Sequence, residues 1–500
     1  MNSEGFNFDG ATPNRVNGAW EIWERDPNDD WQYEAGQLAS RAADVVRNDP
    51  VMAALLNTKL IYTHGSKGLR FRSLVELDGD PETTSGPESD LRKQIENEIK
   101  RASAGRNLDA TGMYTRREMV YALDELATVG GDGFLVRCFL PDRANAVTAT
   151  CWRMLRRDRV SNPGGKANGP SLYEGFVVDP QTGAVLGIWV GPPKRLGLIN
   201  AAKETDWTYV PWYDDAGMPC VCHRLGKRVP GSYRGISMYA PNLVMAKQIR
   251  KTIDAYVVGK RIQACHPIFI SCEDPAAAAK ADRNGAMWGP NTVLEPGKTY
   301  YVGIDAKVSF PSFSFQGADM QAFLDALNRN QTAPWGTPID VVLAQLTNTN
   351  MAASRSAWLQ LYRQADRWQD DDIEQVEIIL DAQIIHEAVL HNRIRIPAGM
   401  DMHDLMRGDY IRPPRSMPDP LKEASAVEKW VAMNRDKTGL WAESGVDFRE
   451  SITQSEEDGR YERAHGFLPA PVPGVAAPQV PAAPPEEDDP TNPPPEDPAP

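Results

Sequence analysis

At 500 residues the chain is too long for one ordinary core and long enough for two to four domains, and an apolar fraction of 41% suffices to fold most of it. A net charge of −14 excludes a protein that grips nucleic acid by broad phosphate neutralisation, but not one that lets nucleic acid pass. No apolar run reaches the ~18 residues needed to cross a bilayer and residues 1–30 are polar, unlike a signal peptide, so a soluble protein made in the cytoplasm with no membrane partner is expected.

Residues 1–30 form an arm rich in Asn, Asp, Gly and Pro that also carries Trp20 and Trp23. Apolar spacing predicts helices from Trp31 to Asn48 and from Val51 to Ile61, separated at Asn48-Asp49-Pro50. Gly65 to Gly68 turns the chain into a strand over Leu69–Leu74, and Asp78–Ser89 reads as an exposed loop. Helices follow at Asp90–Ala104 and Arg116–Val129. The Gly130-Gly-Asp-Gly133 turn then launches a strand at Phe134–Leu140. Further short strands (Thr148–Leu155, Tyr173–Asp179, Ala184–Val190, Thr208–Pro211, Cys220–Arg224) predict a small antiparallel β domain or barrel.

At Pro241 the pattern becomes helical: Leu243, Ala246, Ile249, Ile253 and Tyr256 mark one face, and Lys247, Arg250, Lys251 and Arg261 lie largely on the other. Residues 266–315 alternate short strands with turns, and Gly317–Asn330 is helical again. The order is helix, small β module, helix, which lets two rods pair while the module projects. An uncharged polar loop, Thr347-Asn348-Thr349-Asn350-Met351 and on to Ala353, feeds the longest helical pattern in the chain, unbroken before Pro397 and roughly 55 Å long at about 1.5 Å per residue. Asp370 to Asp372 interrupts its apolar stripe, and a bend or a change of packing partner is expected there. Residues 401–420 form a proline-broken connector, and helices recur at Leu421–Asn434 and Phe448–Glu462. The composition from Leu468 onward, Pro, Ala and acids, predicts disorder.

The candidate chemistry is thin. Gly297-Lys298-Thr299 lacks the earlier glycine and the following helix of a phosphate loop, and reads as a turn into a strand. Cys220-Val-Cys222-His223 has no second ligand pair for zinc, and strand alternation sends Cys222 and His223 to opposite faces. His386 and His391 are five apart and do not share a helical face. The acidic run at 370–372 reads as a solvated surface, and six scattered cysteines give no disulfide framework. No catalytic constellation, cofactor motif or metal motif stands out, so catalytic, cofactor and metal assignments are all none.

The order of elements resembles the portal proteins of tailed bacteriophages, lambda type. Arg41-Ala-Ala-Asp-Val-Val-Arg47-Asn-Asp-Pro50 followed by Gly65-Ser-Lys-Gly68, then Gly131-Asp-Gly133-Phe-Leu-Val, Arg234-Gly235-Ile-Ser and Ala353-Ser-Arg355-Ser-Ala357, are similar to that family over about Trp31–Gly466. The resemblance implies a multidomain α+β portal fold: an α/β wing over 31–240, β-rich from 134; a first stem helix at 241–264; a small α/β clip at 265–316; a second stem helix and connector at 317–346; a tunnel loop at 347–353; a long wing helix at 354–400; and a crown at 401–466. The arm 1–30 and the Pro/acidic tail 467–500 fall outside it. It further implies a homo-oligomer, a dodecamer at one capsid vertex, that conducts double-stranded genomic DNA and meets the terminase large subunit, the head-tail connector, the major capsid protein and scaffold. Thr347, Asn348, Thr349, Asn350 and Met351 would line the channel, and Lys247, Arg250, Lys251 and Arg261 would face either the channel or a neighbouring subunit. Two alternatives stay open at this point: another structural virion component, such as a connector or minor capsid protein, and a nucleic-acid-processing enzyme.

Overall fold

Asp26 and Asp49 each accept backbone N–H bonds at the start of a helix whose first turn holds a proline, and these two caps set α1 (Pro27–Asn48) and α2 (Pro50–His64). The Asp26 cap explains why α1 starts ahead of the expected Trp31. The structure, a computed structural model, describes residues 26–75, 87–144, 146–193, 203–264, 268–282, 285–288, 298–304, 317–344, 351–397, 399–415, 420–433, 435, 437–443 and 445–464. The arm as far as residue 25, the tunnel-loop residues 347–350 and the tail beyond 467 lie outside the described residues.

After β1 (Arg70–Ser73) come α3 (Pro87–Ser103) and α4 (Arg116–Gly130), the latter opened by a reciprocal box between Thr115 and Glu118. Gly131 closes α4 at φ 99°, where a Cβ would meet the Gly235 carbonyl at 2.4 Å. The chain then makes β2 (Asp132–Phe139), β3 (Thr150–Arg156), β4 (Leu172–Tyr173), β5 (Phe176–Val178), β6 (Val185–Val190), β7 (Thr208–Pro211) and β8 (Val221–Leu225). These strands do not close into one barrel. They form two antiparallel sheets, β3-β2-β8 and β4-β5-β6-β7, that share a core of Phe134, Val136, Leu155, Phe176, Ile188 and Val221.

The helix–module–helix order is present as α5 (Leu243–Ala264), then β9 (Ile268–Cys272), α6 (Pro275–Ala281), β10 (Gly285–Met287) and β11 (Thr299–Gly303), then α7 (Gly317–Thr332). The module's strands are parallel, in the order β10-β11-β9, and α6 packs on them. A short α8 (Ile339–Val342) precedes the long helix, which begins at Met351, so the last three residues of the expected loop are helical. That helix is α9 (Met351–Asp372), a single π turn over Ile373–Glu377, and α10 (Ile378–Leu390). The break falls directly after the acidic run. The connector expected at 401–420 holds α11 (Met402–Leu405) and β12 (Gly408–Ile411), and β12 pairs antiparallel with β1. Helices α12 (Pro420–Ala432), α13 (Lys437–Glu443) and α14 (Phe448–Ala464) end the described chain.

The chain divides into two compact units at residue 445, and the described part of the second is almost entirely α14. Within the first unit, one core joins α3, α4 and α10 through Ile95, Leu123, Leu380 and Ile384. Another joins α1, α2 and α9 to the base of α5 through Ala42, Leu55, Leu243 and Leu361. The long helix therefore changes core where its hydrogen bonding changes.

Candidate functional site

The entry to α5 is built from the β sheets outward. Arg234 is buried beside Asp132 at the start of β2: its Nε donates to Asp132 Oδ2 at 2.5 Å and its Nη2 to Oδ1 at 3.1 Å. The same guanidinium donates to the carbonyls of Val160, Glu174 and Arg157 and lies over the Phe134 and Phe176 rings. Five residues on, the Tyr239 hydroxyl donates to the Met52 carbonyl at 2.8 Å, and its ring packs on Trp335, just after α7. Asn242 then ties the first turn of α5 to α7, donating to the Gln331 carbonyl and accepting from Trp335 Nε1 at 3.4 Å.

Beyond this anchor α5 emerges from the core. Leu243, Ala246 and Ile249 are buried, but Ile253 and Val257, which continue the same stripe, are 41% and 40% exposed. Lys247, Arg250, Lys251 and Arg261 are all exposed, and they border the stripe rather than oppose it, since Arg250 stands three residues before Ile253 and Arg261 four residues after Val257. The basic stripe read in the sequence is thus brought together along one rod. Of the other expected site, Thr347 to Asn350 lie outside the described residues, and Met351 is the first residue of α9.

Strand alternation separates Cys222 and His223 as expected. The Cys222 thiol donates to the Gln375 carbonyl at 3.1 Å on one face, and His223 stacks on Phe134 on the other, with ring centroids 4.4 Å apart. Burial pushes the Cys222 thiol up and the His223 imidazole down, so both stay uncharged. His391 is exposed, 4.0 Å from Glu387, and among the described residues no group of three metal-ligating side chains occurs. Thr299 opens β11, which fits a turn into a strand at Lys298.

The family model described as phage portal protein, lambda family, matches residues 13–369, well over half of the chain. The chain belongs to the lambda family of phage portal proteins. Two solved structures are similar over most of this portal protein. The neck of a native GTA particle computed with C12 symmetry matches at 13% identity and a TM-score of 0.40, covering 82% of this chain and 92% of that one. The neck of an empty GTA particle computed with C6 symmetry matches at 14% identity and a TM-score of 0.38, covering 79% and 90%. Among curated proteins none matches. A portal protein is a structural component of the virion's portal vertex and not an enzyme, which removes the enzyme alternative and favours the portal reading over a connector or minor capsid protein.

What the sequence reading of this portal protein missed is a buried charge cluster. Asp372, expected on a solvated face, is fully buried at 0% exposure, with Lys59, His64, Asp124 and Arg224 around it. The sequence carried a partial signal: Lys59 and the C-terminal His64 stand in α2 among Leu55, Leu56, Leu60 and Ile61, but Asn57, Thr58 and Thr63 give the same helix a polar face that would equally suit solvent.

Proposed function

We propose that this portal protein assembles as a dodecameric ring at one capsid vertex and forms the channel through which double-stranded DNA enters and leaves. In this reading residues 31–240 and 354–400 are the wing, α5 and α7 the stem, and residues 265–316 the clip that meets the terminase large subunit and later the head-tail connector. Residues 401–466 are the crown, and residues 347–351 narrow the channel as the tunnel loop.

One observation carries the proposal: on α5 the aliphatic stripe runs on past the point where the chain's own core stops covering it, through Ile253 and Val257, with the exposed cations along its edge. A second copy covers the aliphatic stripe, the cations on its margin turn toward the channel, and ring symmetry repeats each cation as a circle of charge. Few cations on a rod within an acidic chain touch DNA without trapping it, because each neutralised phosphate adds to affinity.

The test is to image the full chain and a variant lacking residues 347–350 by low-dose electron microscopy, and to assay the DNA content of particles assembled with each. Twelve-fold rings with an axial hole are expected from both, with DNA packaging or retention impaired in the deletion alone. Monomers or closed dimers from the full chain overturn the ring, and normal genome content in the deletion removes the loop's role.

A further inference from the structure

The π turn at Ile373–Glu377 lies against the most highly charged part of the interior. Four carboxylates are buried there: Asp124 of α4, Asp372 at the end of α9, Glu377 of the turn and Asp381 of α10. Three basic side chains face them, although burial lowers Lys59 against the pull of Asp124. Lys59 Nζ of α2 is 2.5 Å from Asp124 Oδ2, and Arg224 of β8 reaches Asp124 Oδ1 through Nη2 at 2.9 Å and Asp372 Oδ1 through Nε at 3.4 Å. Arg116 of α4 pairs with Glu377 and places Nη1 2.6 Å from Asp381 Oδ1. Four acids against three bases leave one negative charge uncompensated where water is excluded, a costly state for any interior.

His64 of α2 stands at the place of that imbalance. Its Nε2 is 3.4 Å from Asp124 Oδ2 and its Nδ1 is 3.8 Å from Asp372 Oδ2, so a carboxylate faces each ring nitrogen, whereas a neutral imidazole donates from only one. Neither oxygen of Asp372 has a hydrogen-bond partner among the described residues. The remaining titratable neighbours do not supply the missing charge. Burial keeps the Cys222 thiol of β8 and the Tyr410 hydroxyl of β12 neutral, and Tyr410 donates to Asp381 Oδ2 at 2.9 Å. The Tyr121 ring of α4 packs 5.7 Å from His64 and is also pushed up by burial, while Asp371 adds a further negative charge near Arg224.

We propose that this cluster holds one exchangeable proton on its buried carboxylates Asp372 and Glu377, and that the proton latches the π turn. With the proton bound the interior is charge-balanced and α9 and α10 keep one register; without it the carboxylates repel and the turn loosens. The turn is also tied by the Cys222 thiol to the Gln375 carbonyl, the Leu225 N–H to Gln375 Oε1 at 2.8 Å and the buried Val376 side chain, and the ionic contacts act on top of these. Burial raises both Asp372 and Glu377, the latter to about 7 against the pull of Arg116. Because Glu377 binds its proton more tightly folded than unfolded, its contribution is fully present below about 4.5 and is lost as pH rises through about 7. His223 has the opposite sign: burial lowers it, so the sheets around β8 gain stability as pH rises past its ordinary value.

The latch belongs to the single chain, and its test is therefore separate from that of the ring. Hydrogen exchange of the full chain, corrected for intrinsic rates, is compared at pH 5.5 and 8.0 for a peptide covering residues 369–381 and for one covering β2. Opening of 369–381 is expected to rise at least about tenfold at pH 8.0, one unit of differential proton binding, while β2, which pairs with β8, does not loosen. Asp372→Asn removes the surplus carboxylate, and its exchange over 369–381 is expected to be the same at both pH values. Equal wild-type opening at the two pH values, equal loosening of β2, or a wild-type pH response in the variant overturns the latch. The wild-type comparison decides the matter by itself if the variant does not fold.

Discussion

Arg234 and Asp132 bury a full charge each at the bend that aims α5, and the carboxylate's behaviour shows which effect wins there. Burial alone would push Asp132 up, but Arg234, helped by His223 and Arg157, outweighs it and holds the carboxyl well below the usual carboxylate range. The pair's contribution is therefore present above about 3.8 and is lost only as pH falls below that value. Removing one partner leaves the other buried and uncompensated, so Asp132→Asn is expected to cost roughly 3–5 kcal/mol in denaturant unfolding at pH 7. Arg234→Lys is expected to restore little, since one ammonium replaces neither the two-pronged contact with Asp132 nor the bonds to three carbonyls. Unfolding midpoints equal to wild type in both variants would show that the bend is held by its neighbours instead.

Among the elements, the long helix shows what sequence pattern can and cannot carry. Val376, Leu380, Ile384 and Ala388 keep helical spacing through the break, so the rod was legible, and Asp370 to Asp372 marked where it would change partner. The π turn itself was not legible, because one extra residue in one turn barely shifts the apolar period; the reason for it lies on β8, whose Leu225 N–H and Cys222 thiol are met by Gln375. In the same way β12 could not be read from Gly408-Asp-Tyr-Ile411, since its pairing with β1 is set by a distant segment. The alternation of Cys222 and His223 needed only local geometry and was read correctly. Gln375→Ala leaves the Leu225 N–H without its acceptor, and a stability loss of about 1–3 kcal/mol is expected, measured by chemical unfolding and accompanied by faster exchange in β8. A loss confined to residues 373–377 would mean that the turn does not support the strand.

At the scale of the whole molecule, charge placement decides what the rod can do. The six acids at Glu486, Glu487, Asp488, Asp489, Glu496 and Asp497 supply six of the fourteen net negative charges, so the chain before them is less repellent to DNA than the total suggests. Against that background Lys247, Arg250, Lys251 and Arg261 are few and exposed, and they run along the edge of the exposed aliphatic residues Ile253 and Val257. The two groups make different demands under salt: an apolar interface between copies strengthens or holds, whereas cations that face phosphates release counter-ions and weaken. Replacing Lys247, Arg250 and Lys251 together by Gln is therefore expected to leave ring assembly intact and to flatten the salt dependence of DNA association with purified rings, by a slope of about one for each phosphate contact removed per bound DNA. Rings that fall apart in the triple variant at low salt would place the stripe between subunits instead, where its cations pair with a neighbour's acids.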